Sequence, residues 1–200
     1  MTLRPNKVRV AMGAISTVAL LALTTVGAAV AASPKAGVAF GRDSRTGAVF
    51  AMTNVSGHNR VIEYRRAANG RLTRVGSVAT RGRGIGTDLD AQGGLRLSDD
   101  HRFLYAVNAG TDNITTFAVR GTHLTFRQKV YAGDDPVSLT PHGNLLYVLD
   151  NSVAKNGIRG FRIAHNGTLI PLTNSFRALS SPIAVPGTVQ FSRLIVNLGG

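Results

Sequence analysis

HRFLYAVNAGTDNITTFAVRGTHLTFRQKVYAGDDPVSLTPHGNLLYVLD, residues 101–150, decides the fold. Short apolar runs alternate with polar turns, and the stretch then returns to its own beginning: FLYAVN (103–108) reappears as LLYVLD (145–150). An earlier copy, AVFAMTN, lies at 48–54. Each run is too short for a helix, carries aromatic and β-branched residues, and stops at a polar side chain, the pattern of a strand. The unbroken apolarity of FLYAV and LLYVL means that neither face meets water, as in a sheet sandwiched between two others.

Working outward, each run is followed four to six residues later by a second: NRVIEY (59–64), DNITTF (112–117) and NGIRGF (156–161). That is hairpin spacing. A third set follows: RLTRVGSVAT (71–80), THLTFRQKVYAG (122–133) and TLIPLTNSF (168–176). The second and third runs are separated by Ala68-Asn69-Gly70, Arg120-Gly121 and Asn166-Gly167. Asn-Gly predicts a tight turn with positive φ at both central residues. A further strand is expected ahead of each later set, at GGLRLS (93–98), PVSLTP (136–141) and TVQFS (188–192). The equivalent aromatics Tyr64, Phe117 and Phe161 are spaced 53 and 44 residues apart. The shorter spacing matches the roughly 40 to 50 residues of a four-stranded propeller blade. An inserted glycine-rich loop at 81–92 accounts for the longer one. Gly37-Val38-Ala39-Phe40 is a candidate first strand, and no amphipathic helix is visible after residue 33. The pattern predicts an all-β fold: a partial β-propeller of four-stranded antiparallel blades over residues 47–200, three blades and the start of a fourth.

Residues 1–32 stand apart. Arg4, Lys7 and Arg9 precede the nearly uncharged run Val10 to Val30, and small residues at 29–32 offer a cleavage site. This is the layout of a secretory signal peptide; the alternative is a retained membrane anchor, since about 20 apolar residues suffice to cross a bilayer. Residues 33–46 read as an entry segment. Cleavage after Ala32 would lower the net charge from +13 to +10. The positive charge rests on 19 Arg and 4 Lys, scattered along the chain. A surface of this kind attracts anionic polymers of the cell envelope, while the absence of an aromatic-interleaved basic run excludes a specific nucleic-acid motif. There is no Cys, so no disulfide or thiolate chemistry is available to the exported chain.

GGLRLSDDHRFLYAVNAGTDNITTF (93–117), GDDPVSLTPHGNLLYVLDN (133–151) and GIRGFRIAHNGTLIPL (157–172) together resemble the lactonase-type β-propellers with YVTN-like repeats. That group includes bacterial 6-phosphogluconolactonases and proteins named 3-carboxymuconate cyclase, and the resemblance is to exported actinobacterial-type members. It implies seven blades and a hydrolase of a sugar or cyclic-acid lactone, acting where inner strands converge on a central channel. Seven blades need roughly 300 residues. The sequence is therefore expected to be a truncated frame, a fragment, or a partial propeller completed by another copy, incomplete or inactive alone. Apolar blade faces left open would drive self-association.

Lactone hydrolysis needs a general base or metal-held water, plus a cation or N–H donors for the oxyanion. The resemblance directs attention to the inner-strand entries. Relatives carry His and Arg there; here they read DLDAQGG (88–94) and GDDPVS (133–138). Asp88, Asp90, Gln92, Asp134 and Asp135 are accordingly the candidate site residues. Such oxygen ligands could hold Ca²⁺, or serve only as turn formers before Pro and Gly. His58, His101, His123, His142 and His165 lack metal-ligand spacing. Asn54, Asn108 and Asp150 end equivalent runs, which suits a shared binding role or repeated turn chemistry. No GxSxG motif is present, and RGRGIG (81–86) lacks the strand-to-helix setting of a phosphate loop. Two functions are compatible with these residues: an exported lactonase-like hydrolase, or a non-catalytic propeller scaffold at the cell envelope.

Overall fold

The computed structural model describes residues 45–89, 92–153, 155–181 and 185–192. The signal segment, the strand expected at 37–40, and Asp90 lie outside them. Three antiparallel sheets follow one another along the chain. The first is β1 (Gly47–Met52), β2 (Arg60–Arg66) and β3 (Leu72–Ala79). The second is β4 (Leu95–Leu97), β5 (Phe103–Asn108), β6 (Asn113–Arg120) and β7 (His123–Tyr131). The third is β8 (Pro136–His142), β9 (Leu145–Asp150) and β10 (Gly157–Ile163), with β11 (Leu169–Pro171) and β12 (Arg177–Ala178) both pairing β10. These are the blades of a partial propeller.

β5 shows why its sequence is apolar throughout. Leu104 and Ala106 pack with Val61, Phe117 and Leu124 at the junction of blades one and two. Phe103, Tyr105 and Val107 point the other way and pack with Leu139, Leu146, Val148 and Phe161 of blade three. All six β5 residues are buried. Each large side chain so buried contributes about 1.5–3 kcal/mol of transfer free energy.

Polar side chains tie the junctions. The Glu63 carboxylate accepts the Leu124 N–H at 2.7 Å. The Gln128 amide both donates to Leu169 O (3.1 Å) and accepts from Leu169 N (2.7 Å). Gln128 can reach blade three because β7 contains a bulge. Thr116 pairs Gln128 and Phe117 pairs Phe126, leaving Arg127 as the extra residue. Leu124 and Phe126 thus pack toward blade one, whereas Gln128 and Val130 meet blade three. Blade one has the same bulge, with Val75 as the extra residue.

Several expectations are corrected. At Asn69-Gly70 and Asn166-Gly167 only the glycine has positive φ, +84° in both. Gly70 N donates to Ala67 O and Gly167 N to Ala164 O, while Ala67 N and Ala164 N donate to Arg71 O and Thr168 O. Each turn is a type I turn closed by a glycine bulge, with the Asn side chain accepting the N–H two residues on. The run at 168–176 is not one strand: β11 stops at Pro171 and the Ser175 hydroxyl takes the place of a ladder partner for Gly160 N. Residues 188–192 form no strand. They are tethered instead by Val189 N to Ser138 Oγ (3.3 Å) and by Phe191 against His142 and Tyr147, with no ladder partner among the described residues.

Candidate functional site

Each blade has two ends. At the entry end, inner strands begin and the loops 53–59, 80–94, 108–113, 131–136 and 150–157 gather; the turn end carries 66–72, 97–103, 120–123, 142–145 and 163–169. The four sequence candidates among the described residues, Asp88, Gln92, Asp134 and Asp135, belong to the entry end. A repeated bond organises it: the residue after the outer strand donates to the residue before the strand that pairs with it, as Thr80 N to Asn59 O, Ala132 N to Asp112 O and Leu179 N to Asn156 O.

At the junction of blades one and two this end is filled by neutral groups bonded to one another. Asn108 Nδ2 donates to Asn113 Oδ1 (2.8 Å) and Thr115 Oγ1 (3.0 Å), and its Oδ1 accepts from Asn59 Nδ2 (3.0 Å). Thr115 Oγ1 donates to Thr80 O at 2.5 Å. Asn59, Thr80, Asn108 and Thr115 have no exposed surface. Such a saturated network has a structural role.

The junction of blades two and three replaces each member of this network: Asp112, Ala132, Asp150, Gly157 and Arg159 stand where the first junction has Asn59, Thr80, Asn108, Asn113 and Thr115. Asn108 opposes Asn113 and Asp150 opposes Gly157, so Asp150 occupies in β9 the place of Asn108 in β5. The corresponding residue of blade one is Thr53, which exchanges bonds with Arg60, and not Asn54. Asp150 is therefore a carboxyl where its counterpart is a fully bonded amide. Its side chain is 1% exposed, with Oδ2 at 3.4 Å from an Arg159 terminal nitrogen. Its carboxyl lies directly against Gly133, whose φ is +104°. Burial pushes the Asp150 pKa up to about 7; Arg159 opposes this, and Asp134 and Asp112 add to it.

Around it stand Asp134, which accepts the Tyr131 hydroxyl at 2.9 Å, and Asp135, whose N–H donates to Asp112 Oδ1 at 2.9 Å. Asp135 adopts φ +53° and Asp112 +56°, conformations that Asp tolerates better than most residues. Burial, then the Asp112 charge, raises the Asp135 pKa. The bond to Asp134 is the main cause that raises Tyr131. Arg159 is 28% exposed and stacks near Tyr131 (5.6 Å) and Phe176 (5.3 Å). Six buried polar atoms lack a hydrogen-bond partner among the described residues, and three of them are here: Asp135 Oδ1, Asp150 Oδ1 and Arg159 Nε. A carboxyl group and a guanidinium at one face can supply a general base and a partner for a developing negative charge.

The three sheets have three, four and five strands among the described residues, the first without the inner strand expected of a four-stranded blade. The sequence matches one family description: lactonase, seven-bladed β-propeller, over residues 31–186. The chain belongs to that family. Among solved structures, a 6-phosphogluconolactonase candidate from Bacteroides fragilis shares 24% identity at a TM-score of 0.54, covering 68% of this chain and 37% of that one. A second, from Bacteroides uniformis, shares 21% identity at 0.54, covering 68% and 39%. Both likenesses concern the fold, and the chain spans well under half the length of either. A comparison with curated proteins found no match.

Of the sequence candidates, this lactonase-family chain brings Asp134 and Asp135 together, with Asp112, Asp150, Arg159 and Tyr131 added by the fold. Asp88 is exposed on the 80–94 loop. Gln92 takes part through its backbone, its carbonyl accepting Ser138 Oγ (3.2 Å) and Thr188 Oγ1 (2.9 Å). No group of three or more His, Asp or Glu side chains among the described residues is arranged to hold a metal ion. The Ca²⁺ reading thus gains no geometric support. The sequence signal for the missed pair was the change from Asn108 to Asp150 at equivalent strand ends, coupled with an arginine in the facing strand.

Proposed function

We propose that this lactonase-family protein opens the ring of a small sugar or cyclic-acid lactone at the entry end of blades two and three. The observation that carries the reading is the concentration of unpartnered hydrogen-bonding atoms on Asp135, Asp150 and Arg159. In the proposed reaction, Asp135, partly exposed and less acidic than usual, takes the proton from the attacking water. Arg159 faces the carbonyl oxygen as negative charge develops there. Asp150, beneath the surface, positions the guanidinium and does not touch substrate. The ring C–O bond then breaks, and its oxygen leaves as the alcohol by taking the proton that Asp135 holds, which restores the carboxylate.

The test is proton release from a panel of sugar and cyclic-acid lactones by the full chain. At least one should open faster than it does spontaneously, and Asp134→Asn with Asp135→Asn should abolish the excess rate. Absence of turnover on every lactone would overturn the hydrolase reading and favour a binding scaffold at the cell envelope, which the saturated polar network of the first junction and the net charge of +13 support. Export is part of the same proposal and rests on residues 1–32 of the sequence. Recovery of the protein from the culture medium with an amino terminus near Ser33 is the expected result.

A further inference from the structure

The turn end of blades two and three carries a cleft of about 400 Å³, on the side away from the acid-rich entry end. Arg102, Arg120, Arg127, His165 and Asn166 line it over the Phe103 ring, and no acidic side chain does. Separate elements supply the three guanidinium groups. Val119 N donates to Arg102 O, which sets Arg102 and Arg120 at the same end of the β5–β6 pair. Arg102 is held loosely, 3.7 Å from Asp100 and 5.4 Å from the Phe103 centroid.

Arg127 is the bulge residue of β7, and a bulge re-aims the side chain it carries. Blade one makes the same bulge with Val75, so the geometry belongs to the repeat while the arginine belongs to this cleft. Arg120 and Arg127 have no carboxylate within ion-pair distance among the described residues. The Asn166 side-chain oxygen Oδ1 accepts from Thr168 N and Oγ1, which leaves the Nδ2 end of its amide as a donor. Asp100 offsets Arg102 only; Arg120 and Arg127 are like charges without a carboxylate of their own, and an anion that accepts several bonds relieves their repulsion. A carboxylate offers two oxygens and one charge, whereas a phosphoryl group offers three oxygens and up to two charges to guanidinium forks.

We propose that this cleft binds a phosphoryl group, carried either by a soluble phosphate compound or by a phospholipid headgroup. The site is separate from the proposed lactone site and does not depend on it. Its test uses the full chain in two arms: calorimetric titration with inorganic pyrophosphate, and flotation with phosphatidylglycerol vesicles against phosphatidylcholine vesicles. Arg120→Gln/Arg127→Gln should weaken binding by at least about tenfold, as expected for the loss of two charge-assisted contacts. Arg71→Gln/Arg74→Gln, which removes the same charge from blade one, should leave binding and the far-UV circular dichroism unchanged. Binding of pyrophosphate alone identifies a soluble phosphate as the source, and binding of phosphatidylglycerol alone identifies a headgroup. Equal loss in the two double variants, or no binding of either probe, would overturn the proposal.

Discussion

Asp150 has one carboxyl oxygen near Arg159 and the other without a hydrogen-bond partner among the described residues, so substituting Asn asks what the buried acid does to the fold. In the unfolded chain its pKa is 3.8; in the fold, burial lifts it to about 7. Between those values the folded state binds a proton that the unfolded state does not. Stability therefore falls as pH rises through this window, and the full loss is in place above the folded pKa. A shift of about three units corresponds to about 4 kcal/mol, of which about 3 kcal/mol develops between about pH 4.5 and pH 8. Asp150→Asn removes this titration and keeps an oxygen facing Arg159. Urea unfolding followed by tyrosine fluorescence should show the variant gaining on the parent by about 3 kcal/mol as pH is raised across that range. The difference cancels every other titrating group the two share. A difference that stays flat with pH would refute the assignment of a neutral buried carboxyl, as would one that moves in the opposite direction.

Three further outcomes are expected from unfolding measurements. Gly133→Ala should destabilise by more than about 2 kcal/mol, because a Cβ there runs into the Asp150 carboxylate and φ is +104°; a neutral result would mean that the blades can separate at this point. Glu63→Ala leaves the buried Leu124 N–H without its acceptor and should cost about 1–3 kcal/mol, with Glu63→Gln recovering most of it. Leu104→Ala empties a fully packed site between blades one and two and should cost about 2–5 kcal/mol.

Much of the fold was legible because a blade between two neighbours must be apolar on both faces, and FLYAVN and LLYVLD display that without any partner in view. The strand expected at 188–192 misled for the converse reason: TVQFS alternates like a strand, yet a strand exists only when another run pairs it. Asn69-Gly70 and Asn166-Gly167 marked the turns correctly, but turn type depends on whether the flanking strands accommodate an extra residue, which a dipeptide does not encode. At the site, Asp134 and Asp135 were visible as an acidic entry. Asp150 was visible only as a polar stop. Its chemistry depends on Gly133 approaching from the preceding blade and Arg159 from the facing strand, and both are products of tertiary packing.

The broken outer strand of the third blade bears on how copies of this chain would meet. An uninterrupted rim strand offers a row of free N–H and C=O groups that can template a foreign strand and seed aggregates. β11 and β12, three and two residues long and separated by Pro171 and the Ser175 bond, offer no such row. The opposite rim of that sheet, β8, contains Pro136 and Pro141, which lack N–H groups. β7, nine residues long, is the longest unpaired rim, and His123, Arg127 and Lys129 stand along it. Strand-by-strand polymerisation is thereby discouraged at the third blade and along β7, whereas β1, six residues without a charge or a proline, keeps a rim open to another strand.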